Sequence, residues 1–273
     1  MPGDPLHPLA LYQAAVQHPL SEAFFLARAY EENNDFKQAK ILREDFCGSA
    51  AVSLGWVLTD PQRHAIAIDL DRPTIDYARQ QIDAQPDNTA DNVTLICDDV
   101  CRVCPPQVSA ADIIASLNFS TLIFHSEETL LAYFQRTLNN LAPGGIFVMD
   151  LFGGDSAKQI GMQTRELEID AIGTVTYHWE QRSYDPLTQR IDCRIHFTLP
   201  DGSTLDDAFV YDWRLWGIPQ LMNLLRQAGF EHRQIWSDTL DEHGQPQGYY
   251  QPVSQIDAQH EWVIYLIAQK PNK

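Results

Sequence analysis

The chain has 273 residues, 44% of them hydrophobic, enough for a sizeable core in one large domain or one domain with an insertion. Its 37 acidic residues against 19 scattered basic ones leave a formal net charge of −18, so no nucleic-acid partner is expected, and small or basic substrates suit the charge better. No stretch reaches the ~18 apolar residues of a membrane span, no signal-peptide pattern opens the chain, and five cysteines do not make a secreted disulfide framework, so a cytoplasmic protein is expected.

The first forty residues read helical. "LALYQAAVQ" and "SEAFFLARAYEENNDF" carry apolar residues at helical spacing, separated by Pro19. Short strands and helices then alternate. "KILRED", "HAIAIDLD", "NVTLICDD", "ADIIASLNFS" and "IFVMDLF" read as strands; "AAVSLGWVLTD", "RPTIDYARQQIDA" and "SEETLLAYFQRTLNNL" read as helices. Ser126 is the expected N-cap of the last of these. Such alternation predicts a parallel sheet with right-handed crossovers, whose ligands sit beyond the carboxyl ends of the strands. After Gly154 the pattern becomes antiparallel. "LEIDAIGTVTYHWEQRSYD", "QRIDCRIHFTLPDGS" and "TLDDAFVYDWRLW" predict a three-stranded addition. "IPQLMNLLRQAGF" predicts a helix ending at Gly229, followed by the strands "HRQIWSD" and "EWVIYLIAQK" with a polar loop between them.

The post-strand positions carry the candidate site. After the first strand comes Glu44-Asp45-Phe46-Cys47-Gly48-Ser49-Ala50, a cofactor-type loop reduced to one glycine, which lets the backbone turn and approach a ligand. Asp69 follows Gly48 by twenty-one residues, where a carboxylate can accept from two ribose hydroxyls. Asp98 and Asp99 close the third strand, where a carboxylate can accept from an adenine amino group and Val100 can offer its N–H and an apolar contact. Asn118, Phe119 and Ser120 follow the fourth strand.

"ILREDFCGSA", "AIAIDLD", "VTLICDDV", "ADIIASLNFS" and "LAPGGIFVMDLF" resemble successive motifs of class I S-adenosylmethionine-dependent methyltransferases, over about Lys40 to Phe152. "REDFCG", "LNFS" and "YDWRLW" together look like a bacterial subgroup. The resemblance implies an α/β, Rossmann-like, doubly wound, mostly parallel seven-stranded sheet with N-terminal helices and an antiparallel addition. It implies S-adenosyl-L-methionine as cofactor, held by Glu44, Phe46, Cys47, Gly48, Asp69, Leu70, Asp98, Asp99, Val100, Asn118 and Phe119, with Asn118 near the methionine part. Phe46 and Ala50 depart from the usual glycines.

The expected division is a helical cap over 1–39, the cofactor core over 40–155, the antiparallel addition over 156–216 as a substrate lid, and the final helix with two strands over 217–273. Tyr12, Tyr30, Tyr177, Trp179, Tyr211, Trp213 and Arg214 are candidates to line the substrate cleft. His125, Tyr12 and Arg214 are the candidate catalytic residues. The expected reaction is methyl transfer to a small molecule or a protein side chain. Two alternatives stand beside it. One is a non-catalytic binder of the cofactor, prompted by the reduced glycine motif. The other is an iron–sulfur or zinc protein using Cys97, Cys101 and Cys104, whose C-x3-C-x2-C spacing matches radical S-adenosylmethionine enzymes. The cysteines follow the third strand of a doubly wound sheet, a context that points to no metal.

Overall fold

The computed structural model describes residues 4–85, 87–104, 108–170, 172–242, 246–256 and 261–272. Helices α1 (Pro8–Val16) and α2 (Pro19–Asn33) come first, each with proline in its opening turn, where a missing N–H costs nothing. The alternating region then gives β1 (Ile41–Asp45), α3 (Ala51–Thr59), β2 (His64–Asp69), α4 (Arg72–Asp83), β3 (Val93–Cys97), β4 (Ala111–Ser116), α5 (Glu127–Asn140) and β5 (Leu141–Gly153). Asp71 caps α4 by accepting from Thr74 N, and Ser126 caps α5 by accepting from Thr129 N. After them come β6 (Gly161–Ile169), β7 (Gly173–Asp185), β8 (Arg190–Thr198), β9 (Thr204–Arg214), α6 (Ile218–Ala228), β10 (His232–Leu240), β11 (Pro246–Val253) and β12 (Trp262–Gln269).

The main sheet runs β3-β2-β1-β4-β5-β12-β10-β11. The first five of these strands pair in parallel, while β12 is antiparallel to both β5 and β10. Strand order reverses between β1 and β4, which opens a crevice at their carboxyl ends. One face carries Ile114, Phe147 and Met149 against Leu130 and Phe134 of α5 and Leu225 of α6. The other carries Leu42, Ile113 and Val148 against Leu26 of α2 and Val52 and Trp56 of α3.

Two strand counts differ from the sequence expectation. Among the described residues the sheet holds eight strands rather than seven, so the segment after residue 217 carries three strands rather than two. The additional one, β11, pairs antiparallel with β10 as the sheet edge. Its residues are exposed apart from Tyr250 and Val253, so no burial pattern marks it, and its Pro246 and Pro252 suit an edge. The addition is a four-stranded antiparallel sheet, β6-β7-β8-β9, rather than three-stranded. Gly173, with φ +101°, opens β7, which pairs back on β6 so that one predicted strand becomes the β6–β7 pair, and β6 is too exposed to show apolar alternation. Helix α1 packs Leu11 and Ala15 against Val175, Ile195 and Phe197 of this second sheet. Among the described residues no helix is long and apolar enough to cross a membrane.

Candidate functional site

The loops after β1, β2 and β3 are tied edge to edge. Gly48 N donates to Asp69 Oδ2 at 2.9 Å, Cys47 N to Ile68 O, and Asp98 N to Asp69 O. The other Asp69 oxygen accepts from Asp71 N at 3.0 Å. A carboxylate has about four lone-pair positions, so Asp69 keeps acceptor capacity for a ligand. Gly48 has φ +53°, and a Cβ built on it meets no atom within 4 Å, so the space above the loop is open. Asp98 accepts from Asp99 N, and Asp99 from Cys101 N, which shapes the turn after β3. Leu70 stands beside Asp69 with 72% of its surface exposed.

Three consecutive charged residues of β1 are buried, and alternation sends them to opposite faces. Arg43 meets Asp45 at 2.6 Å and donates to Val103 O and Val100 O, so it anchors the post-β3 loop to β1. Tyr133 completes the group by donating to Asp45 at 2.9 Å. Glu44, on the opposite face, accepts from Ser53 N at 2.8 Å and Ser53 Oγ at 2.5 Å. Burial pushes its carboxyl up to about 8 despite those two bonds. Phe46, at φ +58°, turns its ring toward Tyr133 (5.8 Å between centroids) and Phe124 (6.2 Å).

At the end of β4, Asn118 and Phe119 both adopt left-handed backbone, φ +56° and +61°. Their N–H groups donate to the two oxygens of buried Asp150, at 2.9 and 2.7 Å. Burial pushes Asp150 up to about 7, and the two amide bonds oppose that rise. Asn118, Phe119 and Asp150 open onto a cavity of about 710 Å³. Tyr12 and Glu22 from the N-terminal helices, Tyr177, Trp179, Tyr211 and Trp213 from the second sheet, and Tyr250 and Tyr265 from β11 and β12 complete much of its wall. Tyr12 packs its ring against Phe209, 4.8 Å between centroids, which joins α1 to β9.

No protein-family model matches the chain. It is 32% identical over 102 residues to a carboxy-S-adenosyl-L-methionine synthase of Aeromonas salmonicida, covering 37% of this chain and 38% of that protein. It is 26% identical over 192 residues to the synthase of the same name from Psychromonas ingrahamii, covering 69% of this chain and 67% of that one. The chain thus spans little more than a third of the first relative and about two thirds of the second. Among solved structures it resembles an S-adenosylmethionine-dependent methyltransferase from Clostridium acetobutylicum, with TM-score 0.67, 18% identity, 96% of this chain and 95% of that chain. It also resembles CalS10, an amino pentose methyltransferase from Micromonospora echinaspora, with TM-score 0.67, 14% identity and the same coverage. The chain has the class I S-adenosylmethionine-dependent methyltransferase fold.

In this methyltransferase fold the candidate residues separate into two regions. Glu44, Phe46, Cys47, Gly48, Asp69, Leu70, Asp98, Asp99 and Val100 lie on or behind the first three post-strand loops, whereas Asn118 and Phe119 line the cavity. Within the first group, Glu44, Cys47 and Val100 are buried, so Glu44 and Val100 support the loops from behind: Glu44 holds α3, and Val100 O receives Arg43. Of the catalytic candidates, Tyr12 lines the cavity and the other two do not. His125 Nε2 is bonded to Asp212 O at 2.8 Å, and Arg214 donates to His125 O while stacking on Trp216. Both hold the segment before α5 to β9. Tyr30 is likewise absent from the cavity wall, because it is buried in the core between α2 and the sheet.

Cys97, Cys101 and Cys104 do not bring their sulfurs together as a ligand set; Cys97 Sγ faces Leu70 O, and burial pushes Cys101 up to about 11. Among the described residues, Glu180, His196 and Asp207 do place ligand atoms within 4.8 Å of one another. Arg182 pairs with both carboxylates at 2.7 Å, so a guanidinium already supplies the positive charge there. Sequence reasoning missed Arg43, Tyr133, Glu22 and Asp150. The charged triplet in an otherwise apolar strand was the available signal for Arg43; the other three come from remote segments and carried none.

Proposed function

We propose that the protein transfers the methyl group of S-adenosylmethionine to a small molecule. The observation that carries this reading is the open, glycine-turned space over Gly48 beside the Asp69 carboxylate, at the switch point of a methyltransferase fold. Asp69 would hold the ribose hydroxyls, Asp98 and Asp99 the adenine side, exposed Leu70 a base face, and Asn118 the methionine part. Bound there, the cofactor supplies a methyl group activated on a sulfonium. The chain's own residues orient the acceptor and exclude water, through the cavity walled by α1, α2 and the second sheet. A volume of about 710 Å³ suits a small molecule. A cytoplasmic setting belongs to the same reading and agrees with five free thiols.

Isothermal titration with S-adenosylmethionine and S-adenosylhomocysteine tests the cofactor assignment, and failure of both to bind sinks it. A second reading is supported by the synthase relatives: the cofactor itself becomes carboxylated. Arg165 is the one Lys or Arg on the cavity wall among the described residues, and would face the carboxylate donor. Mass spectrometry of the products separates the two, since methyl transfer releases S-adenosylhomocysteine and the synthase reaction leaves a carboxylated sulfonium.

A further inference from the structure

The following rests on the methyltransferase reading and concerns the acceptor. The described cavity wall carries three carboxylates, Glu22, Asp150 and Glu261, against the single guanidinium of Arg165. Arg165 donates to Ala15 O and lies 5.4 Å from the centre of the Tyr177 ring. Asp150 has a partner on each oxygen, the Asn118 and Phe119 amides. Glu22 is different. From the first turn of α2, its Oε1 accepts only a long 3.3 Å bond from His18 N. Its Oε2 is buried and has no hydrogen-bond partner among the described residues. A buried carboxylate oxygen left unpaired is costly, and the neighbouring charges aggravate it, because Asp150 and Glu44 both feel the negative charge of Glu22. Burial accordingly pushes the Glu22 carboxyl up.

The same cavity has an aromatic stretch of wall. Tyr211 and Trp213 lie 4.3 Å apart and Trp179 5.9 Å from Trp213, centre to centre. Ring faces attract cations and repel anions, and more so away from water. A carboxylate with an unpaired oxygen and a cluster of aromatic rings on the wall of one cavity suit one charge type, a cation with an organic body.

We propose that this cavity receives an organic ammonium group, with Glu22 as its counter-ion and the Trp179–Tyr211–Trp213 wall as its apolar cover, so that the methyl acceptor is an amine. S-adenosylmethionine carries an ammonium of its own, and the test must separate the two sources.

Trp179 and Trp213 make tryptophan fluorescence a reporter of the cavity. The full chain is titrated with benzylamine and with benzyl alcohol, and S-adenosylmethionine affinity is measured by calorimetry. Benzylamine is expected to bind at least tenfold more tightly than the alcohol. Glu22→Gln keeps the side-chain shape and is expected to lose that preference while cofactor affinity stays within twofold; Glu22→Asp is expected to retain part of the preference. A thermal midpoint for Glu22→Gln at or above the parent's establishes that it folds. Equal binding of amine and alcohol by the parent overturns the proposal, as does a Glu22→Gln protein that keeps the preference. So does a Glu22→Gln protein whose cofactor affinity collapses, which assigns the carboxylate to the cofactor's own ammonium. Amine preference without any cofactor binding sustains the ammonium site and removes the methyltransferase reading instead.

Discussion

Gly48 N and the Asp69 carboxylate are hydrogen-bonded at 2.9 Å, so the turn after β1 and the end of β2 form one unit before any ligand arrives. The bond orients one carboxylate oxygen and fixes the distance between glycine turn and acid. Ordering them beforehand lowers the entropy cost of binding.

Asp69→Ala removes both the ribose acceptor and the tie to Gly48. Cofactor affinity should fall at least tenfold in isothermal titration. Unchanged affinity would refute the ribose assignment.

Glu44 gives the stability a pH dependence. Its folded value of about 8 lies above the ordinary 4.5, so the folded state holds the proton more tightly than the unfolded chain. The stabilisation is complete below about pH 4.5 and is lost as pH rises through about 8. Asp150, pushed up to about 7, adds a loss of the same sign at slightly lower pH. Thermal midpoints should therefore decline from pH 5 to pH 8.5. Glu44→Gln cannot ionise and should flatten that decline by about 2 °C or more. A variant with the parent's slope would show that Glu44 does not titrate in this window.

Asp150→Asn tests the clamp on the post-β4 loop. An amide side chain offers one oxygen where two backbone N–H groups need acceptors, and it turns its own N–H₂ toward the second. The loss should be about 1–3 kcal/mol in urea denaturation, the cost of one buried donor left unsatisfied. A stability equal to the parent's would mean that the loop holds its left-handed residues without the carboxylate.

Phe46 occupies a left-handed position that glycine tolerates freely. Phe46→Ala loses the ring contacts with Tyr133 and Phe124 and keeps the backbone strain, whereas Phe46→Gly loses the contacts and relieves it. The glycine variant should be the more stable of the two by about 1 kcal/mol, the reverse of the usual order in regular structure. Paired urea curves decide this, and an alanine variant as stable as the glycine one would refute the strain argument.

Much of the fold is readable along the chain because its causes are local. Apolar runs such as "HAIAID" with capped helices between them imply parallel pairing, and Asp69 is marked by its distance from Gly48. The edge strand β11 and exposed β6 escape because strands without a buried face have no apolar period to reveal them. Tyr12 is readable as a cavity candidate, but His125 and Arg214 look the same in sequence whether they face a ligand or, as here, a neighbouring strand.

The single-glycine loop "REDFCGSA" has causes of both kinds. The sequence alone determined its place between a buried strand and a helix, and its pairing with an acid at the end of the next strand, since both follow from spacing and periodicity. Only the tertiary structure decided that the Phe46 ring packs toward Tyr133 and Phe124, that Arg43 binds the carbonyls of Val100 and Val103, and that Glu22 reaches the cavity with an unpaired oxygen. Those relationships join residues tens to a hundred positions apart. They depend on how helices pack across the sheet, which no local pattern encodes.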